Sequence, residues 1–402
     1  MKILHIISSY RPNALYEENL SVKAQLILGH DVHVMCSHNS LGKTNVSRSR
    51  HDFVLNSICY AYTVYELPSI RLLFNQCILL RLSRYIKLLR PDLIYLHGLD
   101  TLTHLPLAFT RAMNANIVII ADVHETGIHP NFRANGCMIR LRNMIRMWIV
   151  FIYLFRLSIA KVVTFSSFTS APILSFLSNF KFLGFCFEEK FHTLSMPSIL
   201  NEVNFSDDIF CSVNSRSSSF LTTHILDLAF VGSYSSSKFI EYSVCFLLSA
   251  CPPGIKLRFT FVGSGYVESK SSILAIADHP NISKCIFMMP LDSRDLCSFY
   301  SRMHASVWIS NISVGINESI ASLCPVITTD FGYSFYPCAE LNFLVDPSSV
   351  ISGLNVLDRI SKLWSSHQRA SKHLITSRLK LNDYTSKTQQ SALLEKISMN
   401  YL

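Results

Sequence analysis

The sequence lacks the features that mark secreted or membrane-spanning proteins. Its 12 cysteines include no CxxC pair, no regular spacing and no zinc-ligand pattern with histidine, so neither a disulfide framework nor a zinc site is predicted. The opening residues MKILHIISS continue into polar residues without a small-residue cleavage site, which argues against a secretory signal. The longest apolar run, Met147–Phe155, has nine residues, whereas a bilayer span needs about 20. We therefore expect a cytoplasmic protein with reduced, mostly buried thiols and no transmembrane helix.

Acidic residues are missing from two long stretches of the first half. No aspartate or glutamate lies between Glu66 and Asp92 or between Glu125 and Glu188, and the net charge is +9. The bases in these stretches are Arg71, Arg81, Arg84, Lys87, Arg90, Arg133, Arg140, Arg142, Arg146, Arg156, Lys161 and Lys181. They alternate with leucine, isoleucine and aromatic residues.

This pattern is typical of helices that lie on an anionic membrane surface, here the inner face of the plasma membrane. The alternative is a pair of helices that pack on a sheet and keep their bases in water. No nucleic-acid-binding motif accompanies the bases, so nucleic acid is not a predicted partner.

What the sequence does contain is a repeated alternation of strand and helix. Residues 2–8, 31–37, 92–97, 116–123 and 161–166 are predicted strands, and a second series begins at Leu228. At 49% hydrophobic and 16% charged residues the composition is that of a folded α/β protein. We expect two Rossmann-like, doubly wound domains, at residues 1–205 and 220–382. The polar, serine-rich residues 206–219 are the expected linker, and residues 383–402 the expected closing helix, which returns to the first domain.

In the second half, two predicted strands end in glycine. Gly232 is followed by a loop of small residues and Lys238, and Gly263 follows a later strand. Glycine permits close backbone approach, free N–H groups in such a loop hold phosphate oxygens, and a lysine supplies a positive charge. The alternative at each position is a tight turn, with Lys238 simply on the surface.

A short predicted helix after Gly315 carries Glu318 in its first turn. A carboxylate there can accept hydrogen bonds from the two ribose hydroxyls of a nucleotide, while the amino end of the helix favours the diphosphate. The alternative is that Glu318 only complements the helix dipole.

In the first half, His124 and His97 each follow a predicted strand. A histidine in such a position can bind a sugar hydroxyl or assist proton movement. The alternative for each is a structural histidine.

The order of these motifs resembles the retaining GT-B glycosyltransferases of the "group 1" family over nearly the whole chain. MKILHIIS with Gly29–Val32 is similar to the family's opening strand and "GHeV" turn, and Arg90–Gly98 to "kPDvvhvHg". FVGSYSSSK is similar to the "vGrl…KG" diphosphate loop, FTFVGSG to "l.ivGdG", and Glu318–Ile327 to "EAmAcGlPVI". The resemblance implies a GT-B fold whose two domains face a central cleft.

The resemblance also implies the reaction and its site. A sugar would pass from a nucleotide diphosphate donor to a glycan or lipid-linked glycan with retention, in surface polysaccharide or lipopolysaccharide biosynthesis. The sugar nucleotide is a co-substrate, and no metal or other cofactor is expected. His124 would be the catalytic histidine. The nucleotide and diphosphate residues would be Gly232, Ser233, Lys238, Gly263, Gly315 and Glu318. The acceptor side would include Tyr10, Arg11 and His97.

The sequence departs from the family pattern at two charged positions. Ser233 occupies the position of the loop arginine, and Ser310 that of the first of two glutamates eight positions apart. These two serines favour the alternative of a catalytically silent GT-B homologue that acts as a partner subunit or glycan-binding module. A second alternative, a non-hydrolysing sugar-nucleotide epimerase, would need paired acid and base groups, which the sequence does not suggest.

Overall fold

A computed structural model gives the fold of the chain. It describes residues 1–12, 17–38, 45–55, 57–72, 76–109, 117–123, 137–164, 167–180, 187–193, 207–234, 239–265, 273–276, 278–309, 315–330, 341–381 and 391–395. The chain divides into two compact units. Unit 1 comprises Met1–Glu125, Ala134–Met196 and Ser386–Leu402, and unit 2 comprises Thr126–Arg133 and Pro197–Thr385.

Unit 1 is built on an eight-stranded sheet with the order β10-β9-β8-β7-β1-β2-β4-β3. The strands are β1 Lys2–Ile6, β2 Asp31–Ser37, β3 Ser47–Leu55, β4 Ile58–Leu67, β7 Leu93–Leu96, β8 Val118–Val123, β9 Lys161–Thr164 and β10 Phe191–Thr193. Neighbouring strands are parallel except for the hairpin of β3 and β4. A small ribbon of β5 Ser69–Arg71 and β6 Cys77–Leu79 follows the hairpin. The central strands are apolar runs because both of their faces are buried.

Within the described ranges, five helices connect the strands of this sheet. They are α1 Glu17–Ile27, α2 Leu82–Leu89, α3 Leu105–Phe109, α4 Cys137–Arg156 and α5 Ser167–Ser178. Helix α1 connects β1 to β2, whereas α2 to α5 precede strands that are added in the opposite direction. Right-handed crossovers therefore place α1 on one face of the sheet and α2 to α5 on the other.

Unit 2 repeats this architecture with a six-stranded parallel sheet, β13-β12-β11-β14-β15-β16. Its strands are β11 Ile225–Val231, β12 Lys256–Val262, β13 Ile282–Met288, β14 Ala305–Trp308, β15 Val326–Thr328 and β16 Asn342–Leu344. Its helices are α6 Asp207–Thr223, α7 Ile240–Ser249, α8 Ser293–Tyr300, α9 Gly315–Ala321, α10 Val350–Trp364 and α11 His367–Leu381. A single apolar core joins the sheet to the helices on both faces.

The expected linker is a helix. Residues 206–219 lie almost wholly within α6, and Arg216 and Ser217 are buried in unit 2. The Arg216 guanidinium stacks on Trp364 and donates to the carbonyls of Met303 and Leu323, while Ser217 Oγ donates to the Trp364 carbonyl. Low hydropathy was therefore misleading, because the polar side chains of this helix cap backbone carbonyls inside the unit.

The closing segment belongs to unit 1. Residues 391–395 are helical, Leu393 and Leu394 are buried, and Ser386–Leu402 cluster with the first unit. The chain therefore leaves unit 1, builds most of unit 2 and returns to unit 1.

The expectations about the cysteines and about membrane-spanning helices can be compared with the described residues. The eight cysteines whose side chains the structure describes are unbridged; Cys36, Cys77 and Cys324 are buried, but Cys59 and Cys245 are exposed. Burial of the thiols is therefore less general than expected. No helix in the described part of the chain combines the length and the apolar character needed to cross a bilayer.

Candidate functional site

Unit 2 has a switch point between β11 and β14, where the order of strand addition reverses. In open parallel sheets, ligands bind beyond the carboxyl ends of the strands at such a point. Gly232 follows β11, Gly263 follows the adjacent β12, and α9 with Glu318 follows β14. The fold thus brings Gly232, Gly263, Gly315 and Glu318 to one edge of one sheet, as the motif order predicts.

Gly232 and Gly263 allow two strand ends to meet without side chains. A β-carbon on Gly263 would lie 1.9 Å from the Gly232 carbonyl oxygen, and Gly263 has φ +145°, which disfavours any side chain. The Gly232 N–H donates to the Val262 carbonyl at 2.9 Å, and the Gly263 N–H to Met288 at 3.1 Å. The Tyr234 N–H donates to Ser264 at 2.7 Å. These amides bond within the protein and so do not donate to a ligand, whereas residues 235–238 of the loop, whose N–H groups were predicted to hold phosphate, lie outside the described residues. At the two glycines the missing side chains let the strand ends meet.

Helix α9 is fixed to β14 by tight packing and a chain of hydroxyls. A β-carbon on Gly315 would lie 2.6 Å from the Trp308 ring, so only glycine lets the helix start on the indole. The Trp308 ring N–H donates to Ser306 Oγ at 2.9 Å, which lies 2.7 Å from Ser319 Oγ. These contacts hold the first turn of α9, including Glu318, in a single position.

Glu318 is 4% exposed. Its main-chain carbonyl accepts from the Ser322 N–H at 3.0 Å and from Ser322 Oγ at 2.8 Å, so the backbone around it is fully ordered by the turn that follows. A carboxylate that merely complements a helix dipole has no need of burial, because burying a charge is costly. The burial of Glu318 therefore favours a functional over a purely local role.

Unit 1 has its own switch point, between β1 and β7. Here a buried chain of side chains connects four residues. Gln25 Oε1 lies 2.7 Å from His5 Nε2, His5 Nδ1 lies 2.8 Å from His97 Nε2, and His97 Nδ1 lies 2.6 Å from Asp122 Oδ2. The other Asp122 oxygen accepts from the Gly98 N–H at 2.7 Å. The chain thereby ties α1, β1, β8 and the loop after β7 together.

The hydrogen bonds fix the protons in this chain. With the Gln25 amide as placed, His5 donates to Gln25 and accepts from His97. His97 and Asp122 then share one further proton, and their pair is neutral overall whichever of them holds it. Burial and the neighbouring His97 lower the pKa of His5 to about 3, and burial lowers the pKa of His104, which contacts the His97 carbonyl, to about 4. Both rings therefore stay neutral at physiological pH.

Two acceptor-side predictions need correction. His97 is buried with both ring nitrogens engaged, and Tyr10 is buried with its hydroxyl donating to the Tyr62 hydroxyl at 3.1 Å. Neither side chain is presented to a ligand, because each satisfies its polar atoms within unit 1. Arg11, by contrast, is exposed.

The remaining predicted residues divide into two groups. Ser233 is exposed beside Gly232. His124, Lys238 and Ser310 lie outside the described residues. Sequence reasoning missed His5 and Gln25 as members of this buried hydrogen-bonded set, although a histidine within an otherwise apolar strand is a signal that could have found the first.

No family model matches the sequence, and no curated protein matches it. Solved structures do. Sucrose-phosphate synthase from Thermosynechococcus elongatus has a TM-score of 0.68 and 13% identity, covering 99% of this chain and 98% of that one. Anabaena HepE in complex with UDP-glucose has a TM-score of 0.63 and 14% identity, covering 99% and 100%. A glycosyltransferase from Rickettsia africae has a TM-score of 0.63 and 16% identity, covering 99% and 98%. The chain therefore has the GT-B fold, as predicted from the motif order.

Proposed function

We propose that this GT-B chain is a glycosyltransferase that uses a nucleotide diphosphate sugar. The observation that carries the proposal is the burial of Glu318 at the switch point of unit 2, beside the glycine-bearing ends of β11 and β12. Likeness to HepE, which was solved with UDP-glucose, supports the same class of donor.

In this proposal unit 2 holds the nucleotide. Glu318 accepts hydrogen bonds from the ribose hydroxyls. Lys238 neutralises the diphosphate, and Ser233 borders it. Glycine at Gly232, Gly263 and Gly315 lets the backbone approach the ligand closely. The leaving diphosphate is stabilised by fixed protein groups and needs no metal or cofactor, so activity should persist in EDTA.

Unit 1 would take the acceptor, with Arg11 at its surface and His124 contacting the sugar. An acceptor hydroxyl oxygen forms a bond to the anomeric carbon, the bond to the diphosphate oxygen breaks, and the hydroxyl proton is released. Retention of the anomeric configuration and an acceptor that is a glycan or lipid-linked glycan of surface polysaccharide assembly complete the proposal. Anomeric retention is checked by comparing the configuration at the new glycosidic bond, read from its anomeric proton signal, with that of the donor sugar.

The main test is nucleotide binding by calorimetry. Glu318→Ala should weaken the affinity for UDP by about 1–3 kcal/mol, because the ribose hydroxyls lose a buried acceptor. Asp358→Ala is the matched control, since Asp358 is a half-exposed carboxylate of unit 2 that pairs with Lys362. Equal dissociation constants for the wild type and Glu318→Ala would remove Glu318 from the site.

A second candidate function is that of a catalytically silent partner subunit or glycan-binding module. Ser233 and Ser310, which replace two charged residues of the family pattern, favour it. The two candidates separate in one experiment. A folded wild-type protein that binds no nucleoside diphosphate supports the silent module, whereas binding followed by slow hydrolysis of one nucleotide sugar in a screen supports the enzyme.

A further inference from the structure

Helices α2, α3 and α4 form a continuous layer on one face of unit 1. Right-handed crossovers place all three on the same side of the sheet, and α3 packs against both α2 and α4. Their outward side chains therefore contribute to one surface. The opposite face of the sheet carries α1.

This surface is unusually apolar for the outside of a protein. Seven large apolar side chains on it are between 43% and 72% exposed. They are Leu88, Phe109, Leu141, Met144, Ile145, Trp148 and Phe155. The four at 141, 144, 145 and 148 follow helical spacing and so form one stripe on α4. Contiguous exposed apolar surface of this kind marks a site of association.

The same surface is basic. Exposed bases are Arg81, Arg84, Lys87 and Arg90 around α2, and Arg156 at the end of α4. No acidic residue lies between Glu66 and Asp92 or between Glu125 and Glu188.

The described acids between these two stretches are engaged within unit 1. Asp100 is buried and pairs with Arg146 at 3.2 Å, Asp122 is buried with His97, and Asp92 accepts from the Lys2 N–H. The surface therefore combines apolar side chains with uncompensated positive charge.

Exposure alone does not distinguish this surface. Helix α10 of unit 2 also exposes Val350, Ile351 and Leu354, but Asp346 and Asp358 accompany them. Interspersed acids repel an anionic surface, whereas α2 and α4 provide none.

We propose that the α2–α4 surface docks on an anionic phospholipid bilayer, with the α4 stripe entering the headgroup region and the bases of α2 binding lipid phosphates. The helix lies in the interface and does not cross it. The charge, exposure and topology of unit 1 support this docking independently of the proposed transferase activity. A nucleic acid or a second copy of the chain on this surface would be a different outcome of the test.

Trp148 provides a direct probe. Of the three tryptophans, Trp308 and Trp364 are buried in unit 2, and Trp148 is half-exposed on the α4 stripe. Vesicles of phosphatidylglycerol and phosphatidylcholine at low salt should shift the emission to shorter wavelength, and brominated lipid should quench it. Pure phosphatidylcholine vesicles should produce a smaller emission shift, and brominated phosphatidylcholine without anionic lipid should quench less. The Trp148→Phe variant, which retains both buried tryptophans, should show no shift while still binding.

Charge and apolar contributions are separated by matched pairs of variants. Replacing Arg84 and Lys87 by Gln should weaken partitioning to anionic vesicles roughly 25-fold, at about fivefold for each base lost. Lys372→Gln, an exposed lysine of unit 2, is the control and should have no effect. Ile145→Ser should weaken binding about tenfold, from the apolar area that no longer enters the interface. Ile351→Ser on α10 should not.

Several results would overturn the proposal. One is an unchanged tryptophan spectrum together with failure to sediment with anionic vesicles at low salt. Another is self-association in light scattering that Ile145→Ser abolishes while vesicle binding is absent, which would assign the surface to a second copy. A third is salt-sensitive binding to RNA with no binding to vesicles. Loss of nucleotide binding in the Glu318→Ala variant would contradict neither vesicle binding nor the docking proposal, since the two sites lie in different units.

Discussion

The two units place different chemistry at equivalent positions of the same topology. At the switch point of unit 1, between β1 and β7, buried polar side chains are hydrogen-bonded in the order Gln25–His5–His97–Asp122. At the switch point of unit 2, between β11 and β14, glycine replaces side chains and two strand ends touch through their backbones. Hydrogen bonds between buried polar side chains hold the first region together, whereas the second depends on close backbone packing that only glycine allows.

This difference determines what each unit can tolerate. Unit 2 should be intolerant of added atoms, because its strand ends have no room, and indifferent to moderate acid. Unit 1 should accept modest changes of shape that keep its hydrogen bonds, but it should be sensitive to loss of a partner and to pH. Single substitutions and acid can each break this contrast.

The largest effect is expected at Gly263. Gly263→Ala places a β-carbon 1.9 Å from the Gly232 carbonyl oxygen in a backbone conformation with φ +145°. The free energy of unfolding should fall by about 4 kcal/mol or more, from collision and strain together. Urea denaturation followed by the emission of the buried Trp308 and Trp364 measures it.

The matched control is Gly254→Ala. It has φ +79°, but its β-carbon would meet no atom within 4 Å. This variant should lose only about 1 kcal/mol, the usual penalty for the left-handed conformation. Equal losses in the two variants would mean that contact between the strand ends is unimportant.

The next effect is expected at Asp122. Asp122→Ala leaves the Gly98 N–H and His97 Nδ1 without their acceptor inside the protein, so unit 1 should lose about 3–5 kcal/mol. Asp122→Asn should restore most of this. The amide oxygen can accept from Gly98, its NH₂ can donate to His97, and His97 can still donate to His5. If Asn is as damaging as Ala, charge rather than hydrogen bonding holds the chain together.

The effect of acid is graded, and over the first pH unit below neutrality it is the smallest of the three. The pKa of His5 is about 3 in the folded protein, below the ordinary histidine value of 6.5, because the ring is buried. The unfolded chain therefore takes up a proton as pH falls below 6.5 while the folded chain does not. Unit 1 should lose up to about 1.4 kcal/mol per pH unit for His5, and as much again for His104 down to pH 4.

Unit 2 should weaken only in stronger acid. Burial opposes ionisation of Asp227, but hydrogen bonds from His304 and Arg258 outweigh it and hold the pKa below its ordinary value. Stability from this group is lost only as pH falls below about 4. Urea titrations at pH 7 and pH 5, read by hydrogen exchange of β1 and β11 peptides after a common labelling pulse, compare the units. His5→Gln should flatten the unit 1 response, and His51→Gln on the edge hairpin should not.

The parts of the fold that were predictable are those where local pattern and burial agree. Strands β1, β2, β11 and β12 are apolar runs because both faces are covered, and the sequence identified each of them. The β3–β4 hairpin was missed because its edge strand, with Arg48, Arg50 and Asp52, has too few apolar residues to signal a strand. Helix α6 was taken for a linker because its serines look solvated, although Ser217 caps a carbonyl 147 positions away.

The candidate site divides in the same way. Gly232, Gly263, Gly315 and Glu318 were predictable because a glycine at a strand end, or a carboxylate in a first helical turn, is visible within a few residues. The His5–His97–Asp122 chain was not, since its contacts join residues 92 positions apart and depend on which strands are neighbours. The hydrogen-bond partners of the Gly232 and Gly263 N–H groups could not be predicted either, because they are carbonyls on the neighbouring strands.

By itself the amino-acid order determined the fold class, the two-unit organisation and the places where strands end, because these follow from short-range apolar periodicity and turn residues. Which strand ends become neighbours depends on the three-dimensional fold. The fold places His97 in the interior of unit 1 and Glu318 at the carboxyl edge of the unit 2 sheet. It also brings the helices without acidic residues to one surface. Hydrogen bonds and ion pairs form only between groups a few ångströms apart, and the number of residues between two groups in the sequence does not tell how far apart they lie in the fold.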